Sequence, residues 1–276
     1  MRFIKPIAII IFFIGTAIFV YKWANFKMSL DTNPPIIEIG PKKIKVSVDA
    51  DDKELRKSVI VHDEKDGDLT GSLIIESISK FTDVKNHICN ITYAVEDSDK
   101  NVAKKTRQLE YTDYTPPKFY LRKPLCIETS SDANIRELIG AKDCLDGDIS
   151  RKVKVLSSEF STSSSGDNTV VAQVTNSLGD TITMKAHVVI NSINVKSPTI
   201  NLKDNLVYVK KGDSFNERDY IKSVVSPQKT KLPKSRVKVS KSTVNTKKKG
   251  CYYVEYIINK GRLSEAVTNL TVVVED

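Results

Sequence analysis

Asp63-Glu64-Lys65-Asp66-Gly67-Asp68-Leu69-Thr70 returns 80 residues later as Asp143-Cys144-Leu145-Asp146-Gly147-Asp148-Ile149-Ser150. In both stretches a tight Asp/Gly turn is followed by an apolar residue and a hydroxyl residue. Asp side chains bond nearby backbone amides and Gly tolerates positive φ, so each stretch reads as a surface turn leading into a β-strand. Two such turns at a domain-sized interval imply a tandem array.

Other landmarks keep the same step. Pro34-Pro35, Pro116-Pro117 and Ser197-Pro198 each precede a short extended run. An alternating strand closes each unit: Ile91, Tyr93 and Val95, then Val170, Ala172 and Val174, then Val254, Tyr256 and Ile258. The strictest period-two run is Ile182, Met184, Ala186, Val188 and Ile190, a half-buried strand. Units of about 80 residues are long enough for a self-contained sandwich. The expected fold is all-β: three sandwiches over 29–116, 117–197 and 198–276, behind an N-terminal segment 1–28. Short proline-bearing connections at Thr112–Pro117 and Ser192–Pro198 predict an extended array. The Ser-, Thr- and Gly-rich stretch Ser157–Asp167 reads as a flexible loop inside the second unit. Val46 and Val48 suggest a first strand.

Pro-Pro-x-Ile, Asp-x-x-Asp-Gly-Asp-Leu-Thr and Ile91-Thr92-Tyr93-Ala94-Val95-Glu96-Asp97-Ser98-Asp99-Lys100-Asn101-Val102-Ala103 together resemble the bacterial immunoglobulin-like domain found in surface proteins and some pesticidal crystal proteins, a relative of hyalin-repeat and cadherin-like sandwiches. The resemblance covers the first unit well and the second in part, where Val174-Thr175-Asn176-Ser177-Leu178-Gly179-Asp180 replaces the Asp/Asn loop. It is weak in the third. It implies immunoglobulin-like sandwiches on an extracytoplasmic surface and no enzymatic activity.

The first 28 residues carry Arg2, Lys5, Lys22 and Lys27 and no acid, and Pro6–Tyr21 is a run of 16 residues without charge. Such a helix is short for a bilayer but spans it if Lys5 and Lys22 snorkel and Trp23 sits at the interface. The segment lacks a small-x-small cleavage site, which favours an uncleaved single-pass anchor over a signal peptide. The expected localisation is the cell membrane, with the C-terminal domains outside.

Charge distinguishes the units. Residues 29–116 have net charge −4, residues 117–197 have +1 and residues 198–276 have +8, within a total of +9. From Lys222 to Lys249 there are ten basic residues and no acid. Lys234, Arg236 and Lys238 are expected on one face of a strand Lys234–Val239, with Lys229 and Lys231 in the loop before it and Lys247, Lys248 and Lys249 ahead of the strand carrying Tyr256. This basic stripe suits an anionic polymer such as teichoic acid or a host glycosaminoglycan; the competing reading is a solvated lysine-rich surface. Nucleic acid is disfavoured because no exposed aromatics interleave with the cations.

The Asp-rich turns offer Asp63, Asp66, Asp68, Asp143, Asp146 and Asp148 as hard oxygen ligands for calcium, but without twelve-residue EF-hand spacing, so a metal-free turn competes. No other cofactor is implied. His62, His87 and His187 lack metal-ligand spacing, and no hydrolase, zinc-protease or P-loop pattern occurs. Among Cys89, Cys126, Cys144 and Cys251, a bond between Cys126, placed on the first strand of the second unit, and Cys144 competes with four small buried hydrophobes. The functional expectation is a non-catalytic bacterial surface protein for adhesion or envelope scaffolding. The alternative is an accessory subunit docking onto an envelope enzyme or secretion complex through a protein partner.

Overall fold

The computed structural model describes residues 4–29, 31–128, 134–159, 168–191 and 196–276. Arg2, most of the Ser157–Asp167 loop and part of the Ser192–Pro198 connection lie outside the described residues. The chain divides into two compact units, Met1–Thr112 and Asp113–Asp276.

In the first unit, α1 (Ile4–Ser29) precedes β1 (Ile36–Ile39), β2 (Lys43–Val46), the one-turn helix α2 (Asp52–Leu55), β3 (Val59–Asp63), β4 (Gly67–Asp68), β5 (Ile74–Ile78), β6 (Ile88–Glu96) and β7 (Val102–Tyr111). Among the described residues no helix is long and apolar enough to cross a membrane. The first strand starts directly after Pro34-Pro35, ahead of the position Val46 and Val48 suggest. At Gly40-Pro41 the chain leaves its first sheet, because proline cannot donate to a ladder. It joins the second sheet as β2, parallel to β7. The result is a three-stranded sheet β1-β3-β4 facing a four-stranded sheet β2-β7-β6-β5. Ile91, Tyr93 and Val95 point inward from β6 and are at most 2% exposed.

The second unit repeats that order twice. Its first sandwich contains β8 (Lys118–Leu121), β9 (Cys126–Glu128), the one-turn helix α3 (Ile135–Leu138), β10 (Ile139–Asp143), β11 (Gly147–Asp148), β12 (Lys154–Glu159), β13 (Asn168–Thr175) and β14 (Thr181–Asn191). Its second contains β15 (Thr199–Leu202), β16 (Leu206–Lys210), β17 (Ile221–Val225), β18 (Lys231–Leu232), β19 (Lys238–Ser242), β20 (Gly250–Ile258) and β21 (Ala266–Glu275). The sheets run β11-β10-β8 and β12-β13-β14-β9, then β15-β17-β18 and β16-β21-β20-β19. In both, the second strand pairs parallel with the last. Cys126 therefore lies on the second strand of its sandwich, not the first.

Three local devices recur in all three sandwiches. An Asn or Asp side chain caps a single helical turn after the second strand: Asp51 accepts from Glu54 N, Asn134 from Arg136 N and Asn216 from Arg218 N. The chain then crosses between sheets through a 3-10 turn, at Thr70–Ser72, Ser150–Lys152 and Lys234–Arg236. Each turn delivers one buried residue, Leu73, Val153 or Val237, to the core. A β-bulge follows, at Ile75/Ser77, Val155/Ser157 and Val239/Lys241. The expected strand Lys234–Val239 is thereby corrected. Pro233 precedes a turn that crosses between sheets, so Lys234 and Arg236 leave the strand and only Lys238 stands on β19.

The expectation of an extended array fails within the second unit, whose two sandwiches pack side by side. Asn269 and Thr271 alternate with the core residues Leu270 and Val272, so they face outward from the four-stranded sheet, yet they are 0% and 1% exposed. The neighbouring sandwich covers them. Asn269 Nδ2 donates to His187 O at 3.2 Å, Tyr208 OH to Phe119 O at 3.1 Å and Asn205 Nδ2 to Leu121 O at 3.2 Å. All four cysteines are free. Cys126 is taken up by this junction, its Sγ 3.4 Å from Asn269 Oδ1, whereas Cys144 Sγ points to Thr115 O at 3.2 Å.

Candidate anion-binding surface

The Asp-rich turns are built by their own carboxylates. Asp63 Oδ1 accepts the amides of Lys65 and Asp66, both at 2.9 Å, and Asp143 Oδ1 accepts those of Leu145 and Asp146, both at 2.9 Å. Gly67 and Gly147 close the turns at φ +74° and +68°, a region that disfavours side chains. Asp66 and Asp146 reach outward and tie the turn to the next loop. Asp66 takes the amide and hydroxyl of Ser98, each at 2.9 Å, and Asp146 takes those of Ser177 at 2.8 and 2.6 Å. Asp68 and Asp148 each accept the amide two residues on, at 2.9 Å. Hydrogen bonds from Thr70 hold the Asp68 carboxyl below its ordinary range, and those from Ser150 do the same for Asp148. Among the described residues no group of three or more His, Cys, Asp and Glu side chains is placed to hold a metal. The six carboxylates are engaged by N–H and O–H donors and do not converge on a point.

In the third sandwich this turn carries neither Asp nor Gly. Ser226 N donates to Thr230 O at 2.8 Å, and Lys229 takes the positive φ, +60°, that Gly holds in the other two. A lysine in this conformation costs backbone energy. What the substitution supplies is charge.

Lys229, Lys231, Lys234, Arg236, Lys238, Lys247, Lys248 and Lys249 are all exposed, but they do not form one stripe. Lys238 opens β19 opposite Ile257, near the end of β20. Lys229 and Lys231 sit on the β17–β18 hairpin at that same end, and Arg236 Nη2 reaches Asn259 Oδ1 at 3.3 Å. Lys247, Lys248 and Lys249 instead precede Gly250 at the opposite end, where Lys249 pairs with Asp276 at 2.9 Å. The nine residues of β20 separate the two groups by roughly 25 Å at about 3.3 Å per residue. Charges that far apart act separately at a screening length of about 8 Å. The candidate surface is therefore a five-cation end formed by Lys229, Lys231, Lys234, Arg236 and Lys238, with a second, partly neutralised end formed by Lys247–Lys249.

The histidines take three roles. His62 is exposed on β3, and His87 adopts a positive φ of +54° in a turn. His187 stacks on Tyr253 across the junction of the second unit, ring centroids 3.8 Å apart and 14° from parallel. Sequence reasoning missed that role, and its one signal was an aromatic-type side chain at an outward position of a strongly alternating strand.

No family model matches the chain. A segment of it is 36% identical over 121 residues to the pesticidal crystal protein Cry22Aa of Bacillus thuringiensis, covering 42% of this chain and 16% of that protein. The chain thus spans a small fraction of that relative's length. Among solved structures, carbohydrate-binding module CBM51-2 in complex with GlcNAc and INT domains from Clostridium perfringens ZmpB aligns at 19% identity over 54% of this chain and 26% of that chain, TM-score 0.23. The protocadherin gammaB4 extracellular domain aligns at 11% identity over 90% of this chain and 52% of that chain, TM-score 0.21. Human CDH23 EC21-23 aligns at 11% identity over 87% of this chain and 100% of that chain, TM-score 0.21. Scores this low carry no argument. The immunoglobulin-like sandwich rests on strand order and parallel pairing.

Proposed function

We propose that the chain is a non-catalytic, membrane-anchored surface protein whose third sandwich binds anionic envelope polymer. The observation that carries this reading is the acid-free run Lys222–Lys249, which puts the five exposed cations Lys229, Lys231, Lys234, Arg236 and Lys238 at one end of a small sandwich of net charge +8. A field of one sign raises the local concentration of polyanion and speeds its capture. Two features support the anchor. The run Pro6–Tyr21 is uncharged, and on α1 the large side chains from Ile9 to Tyr21 are all more than half exposed, on every face of the helix. A helix apolar all round needs an apolar environment.

The test is retention of the full chain, in detergent, on immobilised wall teichoic acid. Binding at low salt should weaken steeply on raising ionic strength, and the triple change Lys234→Glu, Arg236→Glu, Lys238→Glu should reduce it at least tenfold with the melting temperature little changed. Equal retention of both proteins would return this surface to a solvated, lysine-rich one.

A further inference from the structure

The loop before the last strand is built differently in the third sandwich. In the first two it is five residues long, 97–101 between β6 and β7 and 176–180 between β13 and β14, and the Asp-rich turn holds it through a serine, Asp66 to Ser98 and Asp146 to Ser177. In the third it is seven residues long, 259–265 between β20 and β21. The matching turn at 226–230 carries no carboxylate, and among the described residues no hydrogen bond joins it to this loop. The leucines show the consequence. Leu178, in the loop of the middle sandwich, is 7% exposed, whereas Leu263 is 87% exposed, more than any other large apolar side chain described.

The hairpin holds Leu263 outward. Asn259 and Gly261 take positive φ, +55° and +74°. Asn259 Nδ2 donates to the carbonyl and the hydroxyl of Ser264, both at 3.1 Å. Glu265, the one acid of the loop, turns back to accept the Gly261 amide at 2.5 Å. Lys260 and Arg262 flank the leucine, both exposed and, among the described residues, neither ion-paired. Arg236 Nη2, 3.3 Å from Asn259 Oδ1, sets the Lys229–Lys238 cations beside this hairpin, and those five have no ion-pair partner among the described residues either.

We propose that this end of the third sandwich docks on an anionic phospholipid surface, with Leu263 entering the acyl boundary and the surrounding cations against headgroup phosphates. The cations alone would suit any polyanion. A leucine held out in water is unfavourable, and a water-soluble polymer offers it nothing; a bilayer sets hydrocarbon directly beneath a layer of phosphate. One apolar side chain is a weak anchor by itself, so docking depends on charge as well and is reversible by salt. Docking rests on the same five cations as polymer capture and adds the hairpin: capture needs the charge alone, whereas docking needs Leu263 too.

The full chain, held in phosphatidylcholine nanodiscs that solvate α1, is mixed with sucrose-loaded vesicles and sedimented. It should bind three-to-one phosphatidylcholine–phosphatidylglycerol vesicles at low salt, be released by added salt, and ignore vesicles of phosphatidylcholine alone. Leu263→Ser should weaken vesicle binding about tenfold, with an unchanged melting temperature and wild-type retention on wall teichoic acid. Leu263→Trp should keep vesicle binding, since a tryptophan suits the membrane interface. The Lys234→Glu, Arg236→Glu, Lys238→Glu protein should lose both activities. Vesicle binding that depends on Leu263, without retention on teichoic acid, would uphold the docking and sink polymer capture. Absence of phosphatidylglycerol-dependent sedimentation, or equal vesicle binding by Leu263→Ser and wild type, would overturn the docking whatever the polymer does.

Discussion

Asp146 holds three donors at once: the amide and hydroxyl of Ser177, and the Lys152 ammonium at 2.7 Å. Burial alone would raise its pKa, but the Lys152 and Ser177 bonds outweigh it and the carboxyl sits below its ordinary 3.8. The sign follows directly. A carboxyl with a depressed folded pKa contributes stability above 3.8 and loses it as pH falls through the folded value. The melting temperature should therefore hold from pH 6 to 5 and fall below about pH 4. Asp146→Asn should melt lower than wild type at pH 6, by less than about 1 kcal/mol since the Lys152 pair is partly solvated, and the gap should narrow at pH 2. A gap independent of pH, read by calorimetry across this range, would assign the loss to geometry instead of charge. The same residues show how far a sequence discloses a site. The Asp-Gly-Asp pattern and its interval were plain, but whether a carboxylate faces an ion or an amide depends on neighbours such as Ser98 and Ser177, which lie about 30 residues further along the chain.

The recurring element is the crossing between sheets. Thr70 Oγ1 accepts the amide of Val61 at 3.0 Å, and Ser150 Oγ accepts that of Ala141 at 3.1 Å. The hydroxyl that follows the apolar residue of each Asp-rich turn thus serves a strand amide where the short β4 or β11 ends. Thr70→Val keeps the shape and removes the acceptor, leaving the part-buried Val61 amide unpaired; the expected loss is about 1–2 kcal/mol. Chemical denaturation of Thr70→Val and Thr70→Ser would check this, with the serine variant close to wild type; equal losses would show that the methyl, not the hydroxyl, matters. Strands with strict alternation were legible, as Ile182–Ile190 within β14 shows. The one-turn helices and 3-10 crossings were not, since three or four residues are too few to display a helical period. A signal for one of them went unread: Asp51-Asp52-Lys53-Glu54 has the acceptor-then-acid spacing of a helix start.

At the scale of the whole molecule, the packing of the last two sandwiches was hidden because the surface they share is polar. Asn269, Thr271, His187 and Tyr208 alternate with core residues, and that pattern alone describes a sheet with one face in water. Cys126 lies in this junction, and burial pushes its thiol up to about 11; Cys89, inside the first sandwich, is pushed up to about 11 by burial as well. Thiolate is the reacting form, so both should resist alkylation at neutral pH for as long as their surroundings stay closed. The two report different events, Cys126 the parting of the sandwiches and Cys89 the unfolding of the first. Asn269→Arg forces a long charged side chain into a position that is 0% exposed while the junction is closed, beside its cross-strand neighbour Glu255, and overpacking and desolvation together oppose closure. Because Asn269 faces outward from its own sheet, parting the sandwiches returns that charge to water without disturbing the core of Leu270 and Val272. Pulse alkylation read by mass spectrometry should find both cysteines protected in the wild-type chain and Cys126, but not Cys89, labelled in Asn269→Arg. Rapid labelling of Cys126 in the wild type would mean that the junction is open in solution, and joint labelling of both cysteines in the variant would mean that the chain unfolds as one body.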